Sequence, residues 1–528
     1  MPIKHSSRLL LFLILTIFIF SCNNQSDGKK AEVKVAPTVK TKVAVTGGTI
    51  DGVVQDGIFS YKGIPFAAPP VGDLRWKSPQ PVIPWEGVKK ADKFAPGPMQ
   101  DTTFARLGGP QEISEDCLYL NVWTGAKKRD EKRPVMVWIY GGGFGFGMTS
   151  PPIYDGTNLA KKGAVLVSVA YRVGPMGFLA HPELSAESGH GSGAYGIQDL
   201  IAGLEWVKDN IGKFGGDPSN VTIFGESSGG YTVCMLAASP MAKGLFQRAI
   251  SESGGLRRGV NLKQAEEQGK AYLEKLGANT IAAARALSAE EIQKDTKGYG
   301  NFKPAADGVT IAENIFEAFQ TGSFNDTPIL VGSNSDEGGL YITQPVTTVA
   351  FKEMVQSQFT RGAEEILKAY PYATDDEATQ SAKDFIRESM FAWPTWGWAT
   401  LVTRKGKNDA YVYYFDHRVS DIPGGAKHLA EIPYVFGNLD APIPIKSNRS
   451  PGPEDKKLSE VMSSYWVNFA KNGNPNGEGL PKWPAFDEKE NQVMYFDNDI
   501  GARKHPDLDI IMVFDAHYVK LRKGMNKK

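Results

Sequence analysis

Short apolar, β-branched segments recur along this chain, each followed by a glycine-rich or polar turn and then by a helical segment. The six clearest are residues 135–140, 164–170, 221–224, 248–251, 329–331 and 411–415. Alternation of this kind favours a mostly parallel sheet joined by crossover helices. The sequence therefore predicts an α/β protein with one central sheet and flanking helices. In such sheets the functional side chains lie just after the carboxyl ends of the strands.

One crossover helix is well defined by its apolar spacing. Its apolar side chains recur at steps of three and four residues, at Leu200, Leu204, Val207 and Ile211. These steps place the four side chains on one helical face, and the glycines at 215–216 are typical of a helix end. We therefore expect a helix that packs on the sheet and ends at these glycines.

The charge balance argues against one class of partner. Lys+Arg and Asp+Glu both number 59 in 528 residues, so the net charge is zero and nothing favours a nucleic acid. Three cysteines are too few for a disulfide framework, and the sequence contains neither C-x-x-C nor H-E-x-x-H. We expect a small-molecule partner, no nucleic acid, no metal and no cofactor, and the sequence leaves the oligomeric state open.

The N-terminus is typical of an export signal. Basic residues precede an apolar run at 9–20 that is too short to span a bilayer, so residues 1–21 are predicted to be a signal peptide. Ser21 stands directly before Cys22, and polar residues follow. The site therefore resembles a bacterial lipobox, in which the cysteine is lipidated.

A lipidated Cys22 predicts an exported, membrane-anchored lipoprotein that faces the periplasm or the cell exterior. The alternative is a plain secretory peptide and a secreted protein. Residues 22–42 show no helical or strand period and predict a flexible tether. The remainder, residues 43–520, is predicted to be one catalytic domain that contacts a membrane only through the lipid.

A G-x-S-x-G pattern at residues 225–229 follows the apolar segment 221–224. The letters alone are weak evidence in a glycine-rich chain. Their context is stronger, because a strand comes before and a helix of small and apolar residues comes after. Glycines two residues before and after Ser227 leave room for a sharp turn that exposes the serine hydroxyl. The pattern therefore indicates a nucleophilic serine.

A second glycine-rich turn, residues 141–143, follows the segment 135–140. Ester cleavage creates a negatively charged oxygen, and backbone N–H groups without side-chain obstruction stabilise it. A phosphate loop is disfavoured because no G-K-[ST] follows. The turn therefore predicts an oxyanion-binding loop.

A serine nucleophile also needs a base and a carboxylate, in the chain order serine, acid, histidine for this kind of sheet. Asp336 and Glu337 follow the segment 329–331 at a suitable place. Four histidines lie downstream, at 417, 428, 505 and 517. His417 directly follows a predicted strand and rivals His428, so the residues alone leave both choices open.

Several motifs occur together in one order between residues 45 and 514. Outside the two glycine turns they are the stretches at 63–72, 115–122, 171–174, 214–218, 336–338, 425–432 and 473–476. With these motifs the chain resembles the type-B carboxylesterase family. The resemblance implies an α/β-hydrolase fold, with helical insertions that form a lid or pocket wall, and hydrolysis of carboxylic esters through an acyl-enzyme intermediate.

Matched position by position, the resemblance implies that Ser227 is the nucleophile, Glu337 the acid and His428 the base. His417 then becomes a structural histidine at a strand end. A base of this kind works only when it is neutral, so activity is expected to fall below a histidine-like pKa of about 6 to 7.

The resemblance also implies supporting residues. The backbone N–H groups of Gly142, Gly143 and Ser228 would form the oxyanion hole. Ser253 would support the acid and the histidine. Glu226 would be a buried carboxylate that shapes the site and lies outside the triad.

The chain departs from the family pattern at one cysteine. The residue at Cys117 usually pairs with a cysteine about twenty residues earlier in the family, but the matching stretch at 94–100 has none. We therefore expect a free Cys117. The insertions at 259–296 and 351–398 are expected to form the wall or lid over the site.

Two other classes of protein compete with an esterase. Some relatives keep this fold as adhesion or binding modules without a catalytic serine, but here every triad position is filled. A G-x-G-x-x-G at 191–196 is also found in dinucleotide-binding oxidoreductases, although no strand precedes it. The aromatic residues Phe391, Trp393, Trp396 and Trp398 are compatible either with an acyl pocket or with core packing.

Overall fold

The computed structural model describes residues 38–101, 112–294, 302–418, 424–443 and 450–525. The predicted signal peptide, Cys22 and most of the predicted tether lie outside these residues. The strands are β1 (Lys42–Val45), β2 (Gly48–Asp51), β3 (Val53–Gln55), β4 (Ile58–Pro65), β5 (Val88–Lys90), β6 (Gly97–Pro98), β7 (Ile113–Ser114), β8 (Tyr119–Thr124), β9 (Arg133–Ile139), β10 (Val165–Val169), β11 (Gly216–Glu226), β12 (Arg248–Glu252), β13 (Val260–Asn261), β14 (Ala305–Ala306), β15 (Ile329–Asn334), β16 (Ala410–Phe415), β17 (Gln492–Phe496) and β18 (Gly501–Lys504). The helices are α1 (Thr157–Lys161), α2 (Gly174–Phe178), α3 (Pro182–Ser188), α4 (Tyr195–Asn210), α5 (Ser228–Ala238), α6 (Leu262–Lys275), α7 (Ile281–Ala286), α8 (Ala289–Gln293), α9 (Ile315–Thr321), α10 (Thr348–Gln358), α11 (Ala363–Leu367), α12 (Asp375–Arg387), α13 (Trp393–Lys405), α14 (Ile432–Phe436), α15 (Pro453–Asn472) and α16 (Leu508–Met525).

Eleven strands form the central sheet, in the order β18-β17-β16-β15-β12-β11-β9-β10-β8-β4-β3. The neighbours from β17 to β10 all run parallel. Antiparallel strands extend the sheet at both ends. The prediction of a mostly parallel central sheet is therefore confirmed, and each of the six predicted strands coincides with a strand of this sheet.

The central strands are buried on both faces. Every residue of β10, β15 and β16 is buried. Helices α4, α5, α13 and α15 pack on the sheet. Parallel strands covered in this way carry unbroken apolar runs instead of an alternating pattern. Among the described residues, no helix has the length and apolarity needed to cross a bilayer.

The predicted crossover helix is α4, which covers Tyr195–Asn210. A 3-10 turn, Ile211–Phe214, continues it and stops at Gly215. Gly215 has a φ of 80°, a left-handed conformation that favours glycine at a helix end. The G-x-G-x-x-G at 191–196 covers the loop after α3 and the first residues of α4, so a helix and not a strand leads into it. This placement argues against a dinucleotide site there.

The aromatic cluster in the second insertion divides into two roles. Trp396 and Trp398 are buried on α13, which packs on β15 and β16, and the Trp396 indole N–H donates a 2.8 Å hydrogen bond to Asn491 Oδ1. Phe391 lies in the π-helical turn Glu388–Ala392, with its ring centroid 4.9 Å from that of His428. Core packing therefore accounts for the two tryptophans, while Phe391 forms part of the wall beside His428.

Candidate active site

The turn between β11 and α5 holds Ser227 in a strained conformation. Its φ of 55° and ψ of −123° lie outside the regions that L-residues favour, at a cost of about 1–3 kcal/mol. A Cβ at Gly225 or Gly229 would lie 2.5 or 2.1 Å from the carbonyl oxygen of Ile139. Only glycine fits this close approach of chain segments. The predicted succession of strand, sharp turn and helix at Ser227 is present.

Backbone hydrogen bonds fix the Ser227 turn. Its N–H donates to the carbonyl oxygen of Glu252 at 2.9 Å, and its carbonyl oxygen accepts from Tyr231 N–H at 2.9 Å. These bonds tie the turn to β12 on one side and to the first turn of α5 on the other. A strained residue persists only where its surroundings hold it in this way. Ser227 is 8% exposed, so it lies in a recess.

The glycine loop after β9 lies directly against this turn. A Cβ at Gly141 would lie 2.7 Å from Glu226 Oε2 and 3.0 Å from Ser227 Cβ. The Glu226 carboxylate and the Ser227 side chain therefore approach the same point. A side chain at Gly141 would collide with both of them.

The backbone of the loop leaves donors available. Gly142 and Gly143 have φ values of 119° and 62°, and a Cβ at Gly142 would lie 2.1 Å from the carbonyl oxygen of Phe146. No acceptor for either glycine N–H lies among the described residues. Ser228 opens α5, where the first N–H groups lack partners within the helix. The three N–H groups that the resemblance implies for an oxyanion hole thus belong to the glycine loop that adjoins the Ser227 turn and to the start of α5.

Glu337 and His428 meet in a buried hydrogen bond. Glu337 begins a 3-10 turn just after β15, and His428 lies in the turn that precedes α14. His428 Nδ1 is 2.5 Å from Glu337 Oε2, and both side chains are buried. Because a carboxylate oxygen accepts this bond, the proton of the neutral imidazole lies on Nδ1, and Nε2 carries the lone pair.

The other oxygen of Glu337 accepts two hydrogen bonds. Ser253 Oγ donates to Oε1 at 2.6 Å, and the backbone N–H of Asn334 donates at 2.8 Å. Both oxygens of the Glu337 carboxylate therefore accept hydrogen bonds from the protein. Ser253 lies where the resemblance placed it, in contact with the acid, although it does not touch His428 directly.

Glu431 is a residue that the sequence reasoning missed. It is fully buried, 3.1 Å from Ser253 Oγ through Oε1, and Asn334 Nδ2 donates to its Oε2 at 2.5 Å. Burial, together with the charge of Glu337, raises the pKa of Glu431 to about 7. A protonated Glu431 can donate to Ser253 Oγ while Ser253 donates to Glu337. A chain of hydrogen bonds therefore supports the acid from behind.

Glu226 lies at the free side of the imidazole. Its Oε1 is 3.1 Å from His428 Nε2, without hydrogen-bond geometry at either carboxylate oxygen. Burial raises the pKa of Glu226 well above its ordinary value. Burial also lowers the pKa of His428, but the carboxylates of Glu226 and then Glu337 outweigh it and raise that pKa to about 9. The histidine is a stronger base than its sequence alone indicates.

The structure therefore joins two of the predicted triad members directly and brings the third alongside. No hydrogen bond links the Ser227 hydroxyl to His428 among the described residues. Nε2 instead faces Glu226, the residue that precedes Ser227 and shares its contact point at Gly141. Hydrogen bonds to the nucleophile are often long in unliganded sites and tighten with substrate.

The competing candidates lie elsewhere. His417 Nε2 is 2.8 Å from Asp455 Oδ1 on α15, and the Asp455 carboxylate also accepts from the Tyr434 hydroxyl at 2.6 Å. Asp336 pairs its backbone with Ala426 and does not contact a histidine. Residue reasoning left open whether His417 or His428 is the base and whether Asp336 or Glu337 is the acid. In the structure only His428 and Glu337 of these four bond to each other.

The sequence profile of the Carboxylesterase family matches residues 36–509. The chain belongs to the carboxylesterase family. This carboxylesterase is 38% identical over 477 residues to the fumonisin B1 esterase of Sphingopyxis macrogoltabida, which covers 86% of each chain. It is 36% identical over 482 residues to the para-nitrobenzyl esterase of Bacillus subtilis (strain 168), which covers 87% of this chain and 95% of the relative.

Solved structures agree with this assignment. A PNB esterase superimposes with a TM-score of 0.81 at 33% identity and covers 90% of this chain and 99% of its own. A carboxylesterase of Geobacillus stearothermophilus gives a TM-score of 0.79 at 32% identity, with 90% and 100% covered. The predicted α/β-hydrolase fold is confirmed, and the carboxylesterase is a carboxylic ester hydrolase that acts on small-molecule esters.

Two details complete the site region. Cys117 is a free, buried cysteine, as predicted from the missing partner, and burial raises the pKa of its thiol. Within the described ranges, no group of His, Cys, Asp and Glu side chains is arranged to hold a metal ion. No local pattern in the sequence pointed to Glu431, because its partners Ser253 and Asn334 lie far from it along the chain.

Proposed function

We propose that this carboxylesterase cleaves carboxylic esters with Ser227 as nucleophile, His428 as general base and Glu337 as the acid that orients it. The observation that carries the proposal is the buried 2.5 Å bond between Glu337 Oε2 and His428 Nδ1, with Nε2 beside Glu226, the residue that precedes Ser227. Because the N–H at Nδ1 donates to the carboxylate, Nε2 is the ring nitrogen that accepts a proton.

In the first half-reaction His428 Nε2 takes the proton of the Ser227 hydroxyl, and Oγ attacks the ester carbonyl carbon. The carbonyl oxygen becomes an oxyanion, which the N–H groups of Gly142, Gly143 and Ser228 stabilise. The alcohol leaves with the proton from His428, and the acyl group stays on Ser227.

In the second half-reaction water replaces the alcohol. His428 takes a proton from the water, the resulting hydroxide attacks the acyl carbon, and Ser227 leaves with that proton. Glu337 accepts the hydrogen bond from Nδ1 throughout, and it favours the imidazolium that forms in each half-reaction. The bonds from Ser253 and Asn334 hold its carboxylate in place.

A pre-steady-state experiment tests this proposal. Mixing the enzyme with a p-nitrophenyl ester is expected to release a burst of p-nitrophenol of about one equivalent per active site when deacylation is slower. Acid quenching and peptide mass spectrometry should place the acyl group on the peptide that carries Ser227. An acyl group on another residue, with none on Ser227, would contradict the assignment.

The raised pKa of His428 predicts an unusual pH profile. Because the base must be neutral, kcat/KM should keep rising above pH 7, toward the pKa of about 9, instead of levelling off near 6 to 7. Glu226→Gln removes the first of the charges that raise this pKa, so the acid limb should move to lower pH by about 1–3 units. Steady-state kinetics between pH 5 and 10 measure the limb.

Glu252→Gln is the matched control for this shift. Glu252 is also fully buried, but its carboxylate accepts from the Trp466 indole N–H at 2.7 Å and does not raise the pKa of His428. The acid limb of kcat/KM for Glu252→Gln should therefore stay at the wild-type pH. A limb that stays in place in the Glu226 variant too would show that Glu226 does not act on His428.

The relatives suggest the first substrates to test. One relative is named fumonisin B1 esterase and another para-nitrobenzyl esterase. We propose p-nitrobenzyl esters as substrates of this carboxylesterase, with fumonisin B1 as a second candidate. Release of p-nitrobenzyl alcohol and mass spectrometry of fumonisin B1 digests measure the two activities.

We propose that the enzyme is exported and anchored by a lipid on Cys22, with residues 1–21 as the signal and 22–42 as a tether to the domain at 43–520. The supporting pattern is the short apolar run that ends at Ser21-Cys22. In a bacterial host, Cys22→Ser should move esterase activity from the membrane fraction to the soluble or retained precursor fraction. Equal partition of the two proteins would contradict the anchor.

A further inference from the structure

A second recess lies behind the Ser227 helix. It is a cavity of about 300 Å³, at the lower end of the range for small-molecule sites. Neither Ser227, Glu337 nor His428 lines it, so it is distinct from the site of ester cleavage. Its lining comes from the segment after β12, from α9, from the π-helical turn before α13, and from α16.

Three arginines line this arginine cavity: Arg257, Arg258 and Arg522. Among the described residues no carboxylate lines it. Arg257 and Arg258 form no ion pair there, and Arg522 has one long contact of 3.8 Å with Asp515. Arginines that face one cavity with a single, distant acidic partner favour the binding of an anion there.

The pKa values of nearby groups show the same excess of positive charge. Burial lowers the pKa of Lys303, and the charge of Arg257 lowers it further. Burial likewise lowers the pKa of Arg522. The charge of Asp515 opposes this shift, and the charge of Arg258 adds to it by a smaller amount. Positive charge is therefore concentrated around the arginine cavity.

Most of the remaining lining is apolar, with Gln358 and Ser389 as its polar members. Leu256, Ile315 and Trp393 are buried, and the Phe316 ring lies 4.0 Å from the Arg522 guanidinium. A lining that combines guanidinium groups with aliphatic and aromatic side chains suits a ligand with an anionic head and an apolar body. Inorganic anions alone would leave this apolar surface without a partner.

The inner wall of the cavity adjoins the catalytic side chains. Tyr231 lines it and lies one turn after Ser227 on α5, with the Arg257 guanidinium 4.7 Å from its ring. The Tyr231 ring is 6.4 Å from that of Phe391, whose ring is 4.9 Å from His428. Two aromatic rings therefore separate the arginine cavity from the base.

We infer that the arginine cavity binds the carboxylate of an amphipathic organic acid, with the head at Arg257, Arg258 and Arg522 and the apolar body against Leu256 and Trp393. The inference does not depend on the roles proposed for Ser227, Glu337 and His428. The carboxylate has two possible sources, a free organic acid or the far end of an ester substrate, and both place the same chemistry at the same arginines.

Calorimetric titration with sodium octanoate tests the site. Octanoate should bind, and octan-1-ol, which has the same chain without the charge, should bind at least tenfold more weakly. Arg257→Gln and Arg258→Gln should each weaken octanoate binding about tenfold. Arg503→Gln, at an arginine far along the chain that pairs with Asp497, should leave it unchanged. Melting temperature and p-nitrophenyl acetate hydrolysis confirm that each variant is folded.

A second arm separates the two sources. Mono-4-nitrophenyl suberate ends in a free carboxylate, and 4-nitrophenyl octanoate has an acyl chain of the same length without one. A preference for the suberate in kcat/KM that Arg257→Gln removes assigns the site to substrate recognition. Arginine-dependent octanoate binding without that preference assigns it to a free acid.

The inference is overturned by arginine-independent binding. It fails if octanoate and octan-1-ol bind equally, or if octanoate binding survives both arginine changes and is lost when Ser227 is blocked by a phosphonate. It also fails if neither octanoate binding nor the suberate preference is detected in the wild-type enzyme.

Discussion

Ser227→Ala is expected to lower kcat/KM for a p-nitrophenyl ester by about 10⁴-fold or more. The change removes the hydroxyl of the residue that the strained turn holds beside the Gly141 loop. Direct attack by water would then have to replace the acyl-enzyme route, while substrate binding and the oxyanion donors persist. Steady-state kinetics, corrected for uncatalysed hydrolysis, give the ratio, and KM should change far less than kcat.

Ser219→Ala provides the matched control. Ser219 is exposed and lies in the same strand, β11, toward the end away from the turn. Its loss should leave kcat/KM within about twofold of the wild type, since surface substitutions have small effects. A Ser227 variant that retains wild-type activity would remove Ser227 from the reaction.

Glu337→Gln is expected to lower kcat by roughly 10³- to 10⁴-fold, although the change is nearly isosteric. Ser253 Oγ and Asn334 N–H both donate to Oε1, so an amide at this position must place its oxygen there. The amide NH₂ group then faces His428 Nδ1 as a donor. That arrangement forces the imidazole proton to Nε2, where it blocks transfer from Ser227. Kinetics at several pH values measure the loss.

The neighbouring Asp336→Asn is the control for Glu337→Gln. Asp336 precedes Glu337 in the chain, but it bonds to no histidine among the described residues. Burial raises the pKa of its carboxyl. Its amide variant should keep kcat within about threefold. Equal losses in the two variants would indicate damage to the turn after β15 instead of a specific effect on His428.

The strands and both glycine turns were predictable because their signals are local. Unbroken apolar runs mark strands that are covered on both faces, and the glycines at 225 and 229 meet the carbonyl oxygen of Ile139 at distances that no Cβ permits. The glycine at 215 likewise ends α4 because its φ is 80°. Such constraints act on single residues, and a sequence displays them directly.

The choice between His417 and His428 was not local. Both follow secondary structure elements, and both lie 3 Å or less from a carboxylate oxygen in the fold, one at Asp455 and the other at Glu337. The carboxylate beside each histidine depends on how distant segments of the chain pack together in the fold. Resemblance to the family made the choice that residue reasoning could not make.

Glu431 was the main omission, because it looks like an ordinary charged residue in the sequence. The resemblance implied that Glu226 is a buried carboxylate, but not that it acts on the imidazole. Both side chains are fully buried near His428. Their shifted pKa values arise from burial and from neighbouring carboxylates, so they exist only in the folded protein. The expected acid limit of about 6 to 7 assumed an ordinary histidine, whereas the carboxylates of Glu226, then Glu337 and then Glu431 raise its pKa to about 9.

The claim that Ser227 and His428 act as one unit is tested most directly by comparing kcat/KM for Ser227→Ala, His428→Ala and the double variant. If the base works only through this hydroxyl, each single change already removes the whole effect, and the double variant should match them within about threefold. Losses that multiply, so that the double variant is many thousandfold slower than either single variant, would show that the two side chains act independently.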